Sequence, residues 1–373
     1  MQRLLAPARV ILGHRDFVVL LVANVLLGLT YSFVAPFMSM FGTIEVGMTP
    51  LAFGVFMTVT SVASIFLSTL LARWSDTRTS RKTMLLWGGV SGTLGYLGYA
   101  FVRDVYGLTL IGSVFLGLSS VTFSQLFAHA RDLLSRSSVP PNQTPLYMNV
   151  FRLFFALSWT AGPAVAAWVM SLYSFRGTFL VAVLFFALFT LVVACFVTAV
   201  PPSTESRQAA ENLPLRVAFK QPGLLAHFIG FTLFFSCSTM GMMNLPLLVL
   251  NEIGGRERDV GIAYSIAPIF ELPFMFYLGV LATRVDHDKI IRGSLALATV
   301  YYGLLSVVGA PYQVFLLQIL SAAVVAVTSG VAITFFQNFL PNQAGTATNL
   351  YANASRIGAT TGYRFYVPRR INA

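Results

Sequence analysis

Charge is what this chain has least of. Asp, Glu, Lys and Arg make up 10% of its 373 residues, where a soluble domain carries about 25%. Cysteine is nearly absent. Cys195 and Cys237 lie far apart in apolar segments, which excludes a CxxC pair, a zinc spacing or a disulfide framework. The histidines are scattered at 14, 129, 227 and 287. No GxxxxGK[ST], GxSxG or HExxH stretch occurs, so the sequence carries no signature of an ATP-driven motor, a serine hydrolase or a zinc protease. The kinase motif set is missing too, no cofactor is implied, and the chain does not read as an enzyme. Period-two alternation is also lacking, which sets aside a membrane barrel.

What is abundant is apolar length. Hydrophobic residues make up 56% of the chain, 33 of them Phe, and the mean hydropathy is +0.76. The few charges sit between apolar runs of about 20 residues, the length that crosses a bilayer as a helix. Spans are predicted at 17–41, 51–72, 83–102, 105–130, 145–170, 177–199, 223–250, 260–283, 291–309 and 312–340, with an eleventh starting near Thr346. The first is too long for a cleavable signal. The expectation is an all-α, multi-pass integral membrane protein whose environment is the lipid bilayer.

The basic excess, +11 in net charge, is spread over short loops and forms no basic helix face, so no nucleic-acid partner is expected. It follows a side of the membrane instead. With the N-terminus placed in the cytoplasm, only Arg103, Arg176, Arg256 and Arg258 fall in the opposite loops. The cytoplasmic side collects the N-terminal arginines and the clusters at 73–82, 131–136, 207–220 and 284–292. That is the positive-inside bias, kept through ten crossings.

The two halves echo each other. LARWSD at 71–76 follows the second span and LATRVD at 281–286 the eighth. Gln125 and Gln337 lie late in the fourth and tenth spans, and Asn142-Gln143 and Asn342-Gln343 precede the fifth and eleventh. Two six-helix units in the same order are expected, 1–199 and 223–373, joined by a cytoplasmic linker at 200–222. Repeats of this kind are common in transporters, with the site near the midplane.

Within such spans a charge is conspicuous. Glu271 is the only carboxylate between Val260 and Val285. At the centre of a spanning helix a charge costs about 2.5–3.5 kcal/mol on insertion scales, and intramembrane ionisable groups mark pathways by default. Pro268 and Pro273 flank it, each removing a backbone donor. Glu271 either exchanges a proton and bonds substrate, or is a structural carboxylate held by a neighbouring helix. Arg152, with Asn149 three residues before it on the same face, either grips substrate or locks the bundle, with Asp132 as one possible partner. Arg356 takes the comparable place in the eleventh span. Asn24, Gln125, Asn244 and Gln337 are polar candidates for a substrate-lined cavity, or alternatively glue between helices. The glycine-rich stretch GGVSGTLGYLG at 88–98 reads as close helix packing rather than a site.

The loop LLARWSDTRTSRK at 70–82 resembles the signature loop of the major facilitator superfamily: a small residue, Asp76, then Arg78, Arg81 and Lys82, with Thr79 where the signature has Gly. WTAGPA at 159–164 resembles its Gly-Pro signature in the fifth span. APFMSMF at 35–41, SQLFAHARD at 124–132, MNLPL at 243–247, FELP at 270–273 and FFQNFLPNQAGTATNLYANASRIG at 335–358 are similar to the bacterial sugar efflux transporter (Set) family. The resemblance covers about 16–358.

It implies a major facilitator fold of two six-helix bundles in the bacterial inner membrane. It further implies export of sugars and sugar analogues such as lactose, glucose and glycosides by alternating access, with protons as the coupling partner if Glu271 exchanges them. Asp76 with Arg73, Arg78 and Arg81 would form a conformational latch. The rival expectations are a multidrug-type exporter and an inactive remnant. The latter rests on the tail ATTGYRFYVPRRINA, which departs from the family pattern after Gly358 and reads as a C-terminal bundle truncated in or after the eleventh helix.

Overall fold

A computed structural model describes residues 15–77, 79–137, 144–199, 221, 223–282, 284–339 and 344–364. Among them the regular structure is entirely helical. That follows from the sequence: in hydrocarbon every backbone N–H and C=O must be satisfied within the chain, and long apolar runs do this as helices.

In chain order, α1 spans Arg15–Glu45, α2 Pro50–Thr77, α3 Arg81–Phe101 and α4 Val105–Arg136. One continuous assignment over Thr144–Phe196 is broken at Ser174, whose φ of 55° turns the chain; α5 precedes that residue and α6 follows it. Then come α7 Leu224–Glu252, α8 Glu257–Leu281, α9 His287–Leu305, α10 Pro311–Phe339 and α11 Ala344–Arg364. Seven segments among the described residues are long and apolar enough to cross a membrane. Local chemistry sets several starts. Ser80 caps α3 by accepting from the Thr83 amide, and Asp104 caps α4 by accepting from the Tyr106 and Gly107 amides.

The expected truncation falls in or after the eleventh helix; residues 365–373 lie outside the described residues, as does the expected linker apart from residue 221. The eleventh helix itself does not stop at Gly358. It runs on to Arg364, and the reason is packing. A Cβ built at Gly358 would stand 2.5 Å from the Thr232 carbonyl oxygen, and one at Gly362 would stand 2.6 Å from that of Ser236. Glycines four apart thus let α11 lie backbone to backbone on α7.

The chain forms two compact units. The first comprises 1–34, 59–159 and 173–210; the second comprises 35–58, 160–172 and 211–373. In the first, α3 offers a face of small residues. Gly88 meets Thr122 and Gly95 meets Leu116 of α4, while Gly89 meets Thr190 and Gly92 the ring of Phe186 of α6. A Cβ at any of the four would come within 2.6 Å of its neighbour. The GGVSGTLGYLG stretch is therefore a packing device. Also in this unit, α1 is tied to α5: the Asn24 side-chain amide donates to the Phe151 carbonyl at 2.6 Å, and Ser158 donates to that of Val25 at 3.2 Å.

In the second unit, Gly261 of α8 sits against the segment 160–172. A Cβ there would lie 2.7 Å from the Pro163 carbonyl oxygen. Here also α10 contains a π turn, Val327–Val331, an i→i+5 widening often found at functional sites.

Candidate functional site

The π turn and the intramembrane carboxylate meet. Glu271 rises from α8 between Pro268 and Pro273, and its Oε1 accepts from the Ser329 hydroxyl of α10 at 3.3 Å. Among the described residues Glu271 has no ion-pair partner. The hydroxyl of Tyr351, from α11, donates to the Thr328 carbonyl, inside the same turn. Three helices thus converge on two adjacent residues, Thr328 and Ser329.

Both residues line a cavity of about 240 Å³ within the second unit. Its wall combines the aromatic residues Phe234, Phe235, Tyr301, Tyr302 and Tyr351 with the hydroxyl-bearing Ser238, Ser321, Thr328 and Ser329. Gln318 donates to the Tyr301 hydroxyl at 3.3 Å, and the rings of Tyr301 and Tyr302 stand edge to face 4.9 Å apart. The lining holds no Lys, Arg, Asp or Glu. Glu271 is joined to it through Ser329. Drug-sized ligands occupy about 300–1,000 Å³, so this volume suits a small polar molecule with one apolar face.

A second polar group is buried in the first unit. Arg81, at the start of α3, forms a 2.5 Å ion pair through Nε with Oδ2 of Asp132 on α4, and the two side chains are 4% and 0% exposed. Its Nη1 donates to the Gln125 side-chain oxygen at 3.1 Å. His129, one turn from Gln125, is buried beside them with Nδ1 unpartnered among the described residues.

The expected site residues fall as follows. Glu271 is at the cavity. Arg81 and Gln125 are together, but in the buried charge cluster. Asn24 is spent on the α1–α5 tie, and its Oδ1 is buried without a partner among the described residues. Asn244 is half-buried and donates to the Met240 carbonyl of its own helix at 2.9 Å. Gln337 is half-buried on α10; Arg152 and Arg356 are exposed on their helices. Arg73, Asp76 and Asn149 lie on α2 and α5, but their side chains, and Arg78 altogether, fall outside the described residues.

Sequence reasoning missed Ser329, Tyr301, Tyr302 and Tyr351. The adjacent tyrosines at 301–302 and the polar triplet Thr328-Ser329-Gly330 inside an apolar span were the available signals. It named Asp132 only as a possible partner for Arg152, whereas Asp132 binds Arg81.

Comparison with known proteins agrees with this architecture. A model of the Major Facilitator Superfamily matches residues 20–363, past the point at which the resemblance was expected to end. A protein of Deinococcus radiodurans, provisionally named as a sugar efflux transporter, is 34% identical over 91% of this chain and 87% of its own length. Sugar efflux transporter A of Dickeya chrysanthemi is 29% identical over 91% of this chain and 84% of its own. Among solved structures, the nucleoside transporter NupG superposes with a TM-score of 0.74 at 14% identity, covering 94% of this chain and 90% of that one; at that identity the likeness speaks to fold alone.

Proposed function

The chain belongs to the Major Facilitator Superfamily, and on that footing we propose that it exports sugars and sugar analogues across the bacterial inner membrane by alternating access, in exchange for protons. It is a multi-pass membrane transporter and not an enzyme. The sugar substrate is suggested by its relatives' names together with the cavity. A wall that mixes aromatic rings with hydroxyls suits a pyranose, which has an apolar face and a polar edge. A lining without charge suits a neutral solute such as lactose, glucose or a glycoside.

The observation that carries the proton part is Glu271, a carboxylate in a spanning helix with a serine hydroxyl as its partner. Such a group can take up a proton from one side and return it to water on the other. In this reading the N-terminus is cytoplasmic, as the basic bias favours. The buried Arg81–Asp132 pair, with Asp76, Arg73 and Arg78 nearby in sequence, acts as a latch that parts and re-forms between access states. The two six-helix bundles expected from the sequence, 1–199 and 223–373, would rock about the 200–222 linker.

The test is efflux of labelled lactose from preloaded cells expressing this chain or its Glu271→Gln form at equal membrane levels. Fast efflux from the first and its loss in the second is the expected result. Equal efflux from both, or a response to an imposed pH gradient unchanged in Glu271→Gln, overturns the role of Glu271. Efflux from neither overturns the sugar assignment.

A further inference from the structure

Beyond Glu271 itself, the cavity wall holds a device for aiming it. In a π turn the hydrogen-bond ladder slips by one residue, which leaves a backbone carbonyl open to another donor. In α10 that turn is Val327–Val331, and the Thr328 carbonyl is taken by the Tyr351 hydroxyl from α11. The turn is therefore held from outside its own helix, and it presents Ser329 beside Glu271.

Ser329 has one hydroxyl hydrogen and more than one acceptor in reach. Among its partners are the Val325 carbonyl at 2.8 Å and Glu271 Oε1 at 3.3 Å. A hydroxyl can give its hydrogen to only one of them at a time, but it can also accept. An ionised carboxylate only accepts, and a bond to it is the stronger, charge-assisted kind. A protonated carboxyl can donate instead. When Glu271 is ionised, the Ser329 hydrogen belongs on Oε1. When Glu271 binds a proton, its O–H can donate to Ser329 Oγ, and the serine hydrogen returns to the Val325 carbonyl. The bond reverses direction with no side chain leaving its place, and the proton balance is closed: one proton bound from water, later returned to water.

We infer that Ser329 is the positioning residue of Glu271, and that the Tyr351 contact to the π turn holds Ser329 where it can report the carboxyl's protonation to the cavity. This rests on the reading of the chain as a proton-coupled sugar exporter. Among the described residues, the titratable groups beside the pair are phenols: Tyr301, Tyr302 and Tyr351 in the cavity wall, and Tyr264 on Glu271's own helix, which donates to the Met242 carbonyl. Among the described residues no cation faces Glu271 to take over the serine's part. Every element of the device lies within the second compact unit.

The experiment reconstitutes the full chain in lipid vesicles and measures two things. One is exchange of labelled for unlabelled lactose at equal pH, which needs the site but no net proton movement. The other is lactose movement driven by an imposed pH gradient. Ser329 also lines the cavity, so Ser329→Ala should slow exchange somewhat, and gradient-driven movement should fall by about tenfold or more beyond that loss, the scale of one hydrogen bond to a charged group. Ser329→Thr, which restores a hydroxyl, should recover it. Tyr351→Phe should show the same split as Ser329→Ala.

A parallel fall in both assays, as a merely structural serine would give, overturns the inference. So does a full gradient response in Ser329→Ala while Glu271→Gln has lost it; that outcome leaves the exporter reading standing. A wild-type chain that exchanges lactose but ignores the gradient overturns the proton coupling and this inference together. One that does neither overturns the sugar assignment and the inference with it.

Discussion

Replacing Asp132 by Asn would strand Arg81. The guanidinium is 4% exposed and its partner 0%, so the charge left behind could not reach water without unpacking the start of α3. Removing one member of a buried pair costs about 3–5 kcal/mol, a shift of roughly a hundredfold to a few thousandfold in the folding equilibrium. Gln125 would still accept from Nη1, which places the expected loss toward the lower end. The assay is unfolding of the purified chain in mixed micelles by increasing denaturing detergent. A loss below about 1 kcal/mol, the value of an exposed pair, would refute the buried-pair reasoning.

A companion variant sharpens the test. Arg81→Met with Asp132→Leu removes both charges, and apolar replacement of a whole buried pair is often neutral. Gln125 then loses the Arg81 hydrogen bond, one bond worth up to about 1–3 kcal/mol. The double variant should therefore regain much of the stability and fall short by no more than about that amount. If the pair is a latch, the same protein should be stable and slow, with efflux reduced although folding is recovered. Stability recovered together with wild-type efflux would leave the pair a purely structural role.

Two further outcomes can be checked directly. Gly92→Leu should drive a side chain into the Phe186 ring, which a bare Cβ already approaches to 2.6 Å. Overpacking typically costs about 1–3 kcal/mol, read as a lower detergent midpoint with the cavity untouched. Tyr302→Phe removes one hydroxyl from the cavity wall and leaves the ring. It should raise the half-saturating lactose concentration roughly tenfold, the scale of one hydrogen bond, without changing the amount of protein in the membrane.

The helices were the most legible part of this protein. The second span, expected at 51–72, runs over Pro50–Thr77, and the seventh, expected at 223–250, is Leu224–Glu252. Lipid explains this: the backbone has few alternatives to a helix, so hydropathy nearly determines secondary structure. Glu271 was legible for the same reason, because a lone charge in an apolar run is visible without any partner. Its partner was not. Ser329 is 58 residues away, and serine is common in spanning helices. The π turn that carries it leaves no pattern in the sequence. Asn24 and Asn244 show the limit from the other side. Composition marks them as polar in an apolar setting, but whether such a group faces a cavity or a helix backbone depends on rotations of a few tens of degrees that periodicity does not resolve.

The glycine face of α3 bears on how this transporter would look to genetics. Any missense change of a glycine codon adds at least a Cβ, and at Gly88, Gly89, Gly92 and Gly95 that atom has no room. A random screen for lost efflux would thus return α3 again and again, though none of these four residues lines the cavity. The dense cluster of hits would trace where α3 touches α4 and α6, while the residues that face the solute, being replaceable one hydroxyl at a time, would surface only in screens that score a changed preference rather than a lost signal.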